Sequence, residues 1–166
     1  MSYEIAKAKA WEDLRNLNPA KNLAIKFLAD EYTLDLENRR VISLSCNAAA
    51  KDFYAILILH YLVKRLRGLP QITGEWLTFR ELSGVEGYFD AFKKRAIDPI
   101  IRKCGKKTED TVITVDAFEG VPALIKVWKP DEEFGPDANI YFDRSIKDIF
   151  CIEDIVVLAG IIASSL

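Results

Sequence analysis

The strand-like segments of this sequence come in two hairpin-like pairs, and this arrangement constrains the fold more than any other feature. In the first pair, residues 31–36 and 41–46 alternate in polarity around a polar turn. In the second pair, residues 123–128 and 139–143 flank an acidic loop. Strands joined as hairpins pair antiparallel, whereas a doubly wound sheet needs a helix between successive strands. The sequence therefore predicts an α+β fold: a small, mainly antiparallel sheet of about four strands packed against helices.

Helical segments surround these two pairs. The first carries apolar residues at three-residue steps, and the third is apolar on several sides, as expected for a helix in the centre of a core. Asn47 is predicted to be the N-cap of the third helix. Residues 112–115 are a candidate for one more short strand. Helices are predicted over residues 2–16, 19–27, 48–67, 85–103 and 152–164.

The size and charge of the chain restrict its class. A chain of 166 residues predicts one domain that spans residues 1–166. Half of the residues are hydrophobic and 29% are charged, which is the balance of a globular protein rather than of a disordered one. The 23 basic and 25 acidic side chains give a net charge of −2. Because such a balance creates no strong field, nucleic acid is not expected as a partner.

The sequence also predicts where the chain resides. Its beginning lacks the basic and apolar regions of a secretory signal, and the apolar runs 54–63 and 155–163 are too short to span a bilayer. The three cysteines, Cys46, Cys104 and Cys151, are widely spaced and contain no CxxC pair. They suit neither a disulfide framework nor a zinc or iron–sulfur site. A cytoplasmic protein without membrane contact is therefore expected.

The acidic loop of the second pair is the most distinctive polar feature. Asp131, Glu132, Glu133 and Asp137 lie in the loop, and Asp143 follows it. Carboxylate oxygens suit Ca²⁺ or Mg²⁺, but the spacing differs from that of an EF-hand and lacks its glycine. The alternative is a solvated turn whose acids cap helices or pair with Lys and Arg, and runs of charge favour this interpretation. No metal ligand and no cofactor are therefore predicted.

A tryptophan and an arginine mark the loop that precedes the predicted helix 85–103. An exposed Trp next to an Arg is a composition typical of binding hot spots. In one interpretation, Arg80 pairs with Asp131, Glu133 or Asp143 and fixes the loop against the hairpin. In the other, Arg80 binds an anionic ligand on which Trp76 or Trp128 stacks. The predicted ligand-binding residues are Trp76, Arg80, Glu81, Trp128, Asp131, Glu133 and Asp143.

Two further residues are weighed as reactive groups. His60 is the single histidine and lies in an apolar helical stretch, so a core residue with one satisfied nitrogen is the simpler interpretation and an axial cofactor ligand the alternative. Cys46 is interpreted as a small apolar residue that closes the inner face of a strand. The alternative is a thiol activated by a helix N-terminus. Neither residue has a catalytic partner near it in the sequence, so no catalytic residue is assigned.

Four stretches of the sequence carry a resemblance to a known family. They are Ile-Leu-His-Tyr-Leu at 58–62, Thr-Gly-Glu-Trp-Leu-Thr-Phe-Arg-Glu-Leu at 73–82, Trp-Lys-Pro-Asp-Glu-Glu-Phe at 128–134 and Tyr-Phe-Asp-Arg-Ser at 141–145. In order and spacing they resemble a bacterial and archaeal family described as a domain of unknown function, number thirty-seven eighty-six. Members of this family are common in anaerobes, and some carry an additional cysteine-rich iron–sulfur segment. This chain lacks that segment, so the resemblance implies no iron–sulfur role and transfers no catalytic residues.

These observations predict a cytoplasmic binding or accessory domain that binds a protein partner or a small anionic ligand. One alternative is a divalent-metal-dependent enzyme that uses Arg80 and the acidic loop, and this alternative requires Arg80 and at least two of Asp131, Glu133 and Asp143 in one concave site. Another alternative is a carrier of a tetrapyrrole or corrinoid, with His60 or Cys46 facing the cofactor. The binding-domain prediction requires exposed apolar side chains near Trp76 or Phe134.

Overall fold

Two four-stranded antiparallel sheets, one in each half of the chain, form the framework of the protein. The computed structural model describes residues 2–166. The chain divides after Pro70 into two compact units. The predicted α+β class with antiparallel sheets is confirmed, but the strands form two sheets because each predicted hairpin gains further strands from its own half of the chain. That residues 1–166 act as one domain stays a prediction.

The first unit packs two helices with its sheet. Its strands follow the order β1-β2-β3-β4, and Tyr32 of β2 lies opposite Ser43 of β3, so the predicted first hairpin is confirmed. Helix α1 packs against helix α2, and Lys7 of α1 forms a 2.8 Å ion pair with Asp52 of α2. The elements are α1 (Tyr3–Arg15), β1 (Leu23–Phe27), β2 (Asp30–Asp35), β3 (Arg40–Ser43), β4 (Ala48–Ala49) and α2 (Asp52–Arg67).

Three predictions for this unit are wrong. The segment predicted as the helix 19–27 ends instead in strand β1, where Ile25 and Phe27 are buried while the residue between them is exposed, a period of two rather than of 3.6. Asn47 is not a helix N-cap, because its φ of +49° places it in a turn and α2 begins only at Asp52. That turn also leaves Cys46 exposed, so the thiol does not close an inner face.

The second unit contains the other sheet and the remaining helices. Its strands follow the order β5-β8-β7-β6, and the predicted pairing of 123–128 with 139–143 is confirmed by the register of β7 and β8. The segment predicted as the helix 85–103 is α3 and α4 joined by a π-helical turn, Lys93–Ile97. The elements are β5 (Trp76–Thr78), α3 (Phe89–Phe92), α4 (Asp98–Cys104), β6 (Thr111–Phe118), β7 (Val121–Trp128), β8 (Asp137–Asp143) and α5 (Ile152–Ser165), with short 3-10 turns at Phe79–Glu81, Glu86–Tyr88 and Arg144–Asp148.

The second sheet buries one of its faces. Alternate residues of β7 and β8, such as Ile125 and Ile140, are fully buried, whereas Lys126 and Tyr141 between them are half-buried on the other face. The segment from α3 to α4 contacts β7 and β8, and α5 packs on that segment. This packing places the end of β5 and the start of β8 next to α3 and the π-helical turn.

Helices α2 and α5 carry the largest sets of buried side chains among the helices. Helix α2 has 16 residues and ends in Lys64, Arg65 and Arg67. Helix α5 has 14 residues and carries Glu153 and Asp154 in its first turn. Within residues 2–166, every helix is too short or too polar to traverse a lipid bilayer.

Candidate functional site

A cleft in the second unit brings together side chains from three separate parts of the chain. Its volume is about 290 Å³. The end of β5 and the 3-10 turn after it form one wall, α3 with the π-helical turn forms another, and the start of β8 forms the third. We call it the Arg80 cleft. It is lined by Thr78, Phe79, Arg80, Phe89, Phe92, Lys93, Ile97, Asp137, Ala138 and Asn139.

A capping box fixes the turn that carries Arg80. The Thr78 side chain accepts from the backbone N–H of Glu81, and the Glu81 carboxylate accepts from the N–H of Thr78 at 3.3 Å. Glu81, which was predicted to bind a ligand, is therefore used to hold the backbone around Arg80. Strand β5 ends at Thr78 for the same reason, since the turn leads the chain away from β8.

Three phenylalanine rings support the Arg80 side chain. The guanidinium carbon lies 4.4 Å from the centre of the Phe89 ring, in a cation–π contact. The Phe79 ring is stacked on the Phe92 ring, with centres 4.2 Å apart and planes inclined by 4°. Phe79 also meets Phe89 edge-on at 6.2 Å. The guanidinium therefore stacks on one ring of a packed aromatic cluster, and its N–H groups remain available to other partners.

Some polar groups of the Arg80 cleft already have an ion-pair or hydrogen-bond partner in the protein, and others do not. Lys93 pairs with Asp98 at 2.9 Å. The Asn139 carbonyl oxygen accepts from the N–H of Ile140 at 2.9 Å, and Asp137 accepts from the N–H of Ala138 at 2.8 Å. Among residues 2–166, no carboxylate forms an ion pair with Arg80. Arg80 is therefore a cation that a bound anion can neutralise.

Asp143 anchors a neighbouring segment of the backbone. Its side chain is 2% exposed and accepts from the N–H groups of Ser145 at 3.0 Å, Thr73 at 3.1 Å and Gly74 at 2.8 Å, and from the Thr73 hydroxyl. Gly74 has a φ of +78°, a conformation that glycine adopts without strain. We call this arrangement the Asp143 loop: residues 73–76 held by Asp143. Arg80 is not one of its members.

The electrostatics of Asp143 follow from these bonds. Burial raises the pKa of the carboxyl, but the hydrogen bonds from Ser145, Thr73 and Gly74 stabilise the carboxylate more strongly. The net result lowers the pKa of Asp143 from 3.8 to about 2. Asp143 is therefore a permanently charged anchor at neutral pH, and its accepting positions are occupied by the protein.

The acidic loop folds on itself. The Asp131 carboxylate accepts from the N–H groups of Glu133 at 2.9 Å and Phe134 at 2.7 Å. These two bonds, that from Phe134 first, lower the pKa of Asp131. The turn leaves Glu133 exposed and displays Phe134 with 71% of its surface exposed. Neither Asp131 nor Glu133 lines the Arg80 cleft.

The two predicted stacking residues lie at the ends of strands. Trp76 begins β5 opposite Asp143, and Trp128 ends β7 opposite Asp137. Both indole rings are partly exposed, and neither residue lines the Arg80 cleft. Of the predicted ligand-binding residues, the cleft therefore contains Arg80 itself, next to Glu81, which caps its turn. That the others bind a ligand stays a prediction.

Sequence reasoning missed most of the other cleft residues. Phe89, Lys93 and Asn139 were not singled out, and Asp137 was noted only as a member of the acidic loop. Aromatic and basic residues do cluster at 88–95, a signal that could have drawn attention to this wall. Nothing in the sequence joins that cluster to Asn139, since the start of β8 lies about forty residues later in the chain.

The residues considered for metal or cofactor binding lie elsewhere. His60 is half-buried in α2, and Cys46 lies in a turn of the first unit, 3.6 Å from the Ser45 hydroxyl. In the part of the chain that the structure describes, no three His, Cys, Asp or Glu side chains are grouped to hold a metal ion. The metal-dependent enzyme and the tetrapyrrole or corrinoid carrier stay predictions.

Comparisons with known proteins give a family assignment. No curated protein and no solved structure is found to match the chain. A family model matches it over residues 14–112 and again over 105–165, which together cover nearly the whole sequence. The resemblance inferred from the four sequence stretches is thereby confirmed. The chain belongs to the family described as Domain of unknown function (DUF3786).

Proposed function

We propose that this chain is a binding module whose Arg80 cleft holds a small carboxylate with a flat apolar body. One observation carries the proposal: the Arg80 guanidinium lies 4.4 Å from the Phe89 ring centre, lines a cleft, and has no ion-pair partner among residues 2–166. A guanidinium presents paired N–H donors that match the two oxygens of a carboxylate.

The neighbouring groups support an anion rather than a cation. Lys93 also lines the cleft, but it is paired with Asp98 at 2.9 Å, so Arg80 is the cation that an anion would neutralise. Asn139 uses its carbonyl oxygen for the Ile140 N–H, so its amide N–H groups remain as donors. Asp137 is the one acid in the lining, and it can accept from a hydroxyl or amino group on the same ligand.

The size and walls of the cleft support a small, flat ligand. Its volume of about 290 Å³ lies at the lower limit for pockets that hold drug-sized molecules. Of the three aromatic rings in the lining, Phe79 and Phe92 are buried and Phe89 is half-buried, and an accessible aromatic ring binds planar apolar groups well. A single aromatic acid fits this description, whereas a dinucleotide cofactor is too large.

A cytoplasmic location is part of the proposal. Cys46, Cys104 and Cys151 are all free thiols, and two of them are exposed. Exposed thiols persist in a reducing compartment and are oxidised outside it. When cells of the native host are fractionated, we expect the chain in the cytoplasmic fraction.

The test compares benzoate with benzamide, which have the same shape and differ in charge. We expect benzoate to raise the melting temperature and benzamide to leave it unchanged. A ligand at one hundred times its Kd stabilises a protein by about 2.7 kcal/mol, a shift of several degrees for a chain of this length. Isothermal titration then gives the affinity for benzoate.

Two variants locate the binding. Arg80→Gln removes the cation, and we expect it to weaken benzoate binding by at least about tenfold, since a charged hydrogen-bonded pair contributes roughly 1.5–3 kcal/mol. Arg102→Gln is the matched control, because Arg102 is exposed on α4 and does not line the cleft. Equal binding by both variants, or no preference for benzoate over benzamide, would refute the proposal.

A further inference from the structure

Strand β6 forms a long open edge of the second sheet. It has eight residues, Thr111–Phe118, and pairs with β7 on one side, while in the described residues 2–166 no strand pairs with its other side. Natural edge strands are usually kept short or carry a proline, a lysine or a bulge near the centre. Residues 111–115 read Thr-Val-Ile-Thr-Val, which are β-branched throughout and carry no charge.

The opposite edge of the same sheet is protected. Strand β5 has only three residues, and beyond its end the N–H groups of Ala138 and Ile140 in β8 donate to the side chains of Asp137 and Asn139 at 2.8 and 2.9 Å. Among the side-chain hydrogen bonds of residues 2–166, none reaches an N–H of residues 111–115. Strand β6 has a register shift in its pairing with β7 between Asp116 and Phe118, but this shift lies beyond residues 111–115, so that stretch lacks the protection of the opposite edge.

Burial of residues 111–115 in β6 is incomplete on both faces. Ile113 and Val115 point to the inner face, where they pair with Ile125 and Ala123 of β7. Those two partners are fully buried, whereas Ile113 and Val115 remain half-buried. On the outer face, Val112 is 60% exposed. A strand added beside β6 would complete the burial of this apolar set.

We propose that β6 pairs antiparallel with β6 of a second copy of this chain, about a two-fold axis at Thr114. In this register, Thr114 lies opposite Thr114, Ile113 opposite Val115, and Val112 opposite Asp116. Inner residues meet inner residues, so the two four-stranded sheets become one continuous sheet.

The composition of the strand selects a second copy over another partner. An isologous contact needs a surface that is complementary to itself. In the proposed register the β-branched residues face one another, and Asp116, the one charge in the strand, faces Val112 instead of its own copy. A partner chosen by charge would find no charged residue to recognise between Thr111 and Val115.

The first test is sedimentation velocity of the full chain across a concentration range. We expect a species of twice the 18.8 kDa chain mass that dissociates on dilution. Thr114→Lys places two lysines opposite each other at the axis, and we expect it to raise the dimer Kd by at least about tenfold. Thr108→Lys is the matched control, because Thr108 is exposed just before the strand and should leave the dimer intact.

A cross-linking test does not depend on the lysine variant. Thr114→Cys, in a background with Cys46→Ser and Cys151→Ser, should form a disulfide-linked dimer under mild oxidation, whereas Thr108→Cys in the same background should not. A chain that stays monomeric at all concentrations overturns the proposal, even if another protein occupies the edge. A dimer that survives Thr114→Lys, or that cross-links equally at 108, also overturns it.

Discussion

The Arg80 cleft and the Asp143 loop are both organised around one charged side chain, yet the two charges are used in opposite ways. Asp143 is 2% exposed and accepts hydrogen bonds from three backbone N–H groups and one hydroxyl. Arg80 is exposed, stacks on Phe89 and has no ion-pair partner among residues 2–166. A satisfied buried charge holds the fold together, whereas an unsatisfied charge in a cleft is available to a ligand.

Removal of the Asp143 carboxylate should give the largest effect on stability. Asp143→Ala leaves the N–H groups of Thr73, Gly74 and Ser145 without their acceptor, and we expect a loss of roughly 3 kcal/mol in the free energy of unfolding. Urea unfolding measures this loss, with Asp148→Ala as the control, because Asp148 is exposed. A loss no larger than that of the control would mean that the loop does not need its anchor.

The pH dependence of stability should report the same carboxylate. Because folding lowers the pKa of Asp143 from 3.8 to about 2, its contribution is complete above about pH 5 and disappears as the pH falls towards 2. We expect about 2 kcal/mol to be lost over this range. Since other acids also titrate there, the quantity to measure is the difference between the native chain and Asp143→Asn. Parallel stability curves would contradict the assignment.

A smaller effect on stability is expected from the carboxylate that caps the Arg80 turn. Glu81→Ala removes the carboxylate that accepts from the Thr78 N–H, which should cost about 1 kcal/mol of stability. The same variant should weaken benzoate binding several-fold, because the turn orients Arg80. Glu86→Ala, in the next 3-10 turn, is the control. A stability loss with unchanged benzoate affinity would separate the cap from the cleft.

The smallest effect on stability should come from the cleft itself. Arg80→Gln removes an exposed cation–π contact and no ion pair, so we expect the free energy of unfolding to change by no more than about 0.5 kcal/mol. Chemical unfolding without ligand measures this change. If Arg80→Gln destabilised the chain as much as Asp143→Ala, the distinction between a structural charge and an available one would fail.

Sequence reasoning succeeded where one face of an element is buried. The alternation in residues 31–36 and 123–128 predicted the two hairpins, because each buried face repeats every second residue. It failed at β1, where a helix was predicted over residues 19–27 although Ile25 and Phe27 follow the strand period. Strand β6 was anticipated only in part, as residues 112–115.

The site was harder to predict than the fold, for a physical reason. Asp143 is held by backbone N–H groups of Thr73 and Gly74, and such donors have no side-chain signature in a sequence. The Arg80 cleft depends on the pairing of β5 with β8, which joins residues about sixty-five positions apart. Arg80 was identified because an arginine beside a tryptophan is a recognisable pattern within one stretch of sequence. The phenylalanine ring under its guanidinium was not identified, because it comes from another stretch.

The π-helical turn at Lys93–Ile97 changes the direction in which the side chains of α4 point relative to those of α3. A wider turn inserts one extra residue, which rotates the side chains after it by about 100° relative to those before it. Phe92, before the turn, borders the cleft although it is itself buried, and Ile100, two turns later, is fully buried. Deleting one residue from this turn would rotate the side chains of α4 back by about 100° relative to those of α3. The side chains that line the cleft and those that pack in the core could then not both keep their positions.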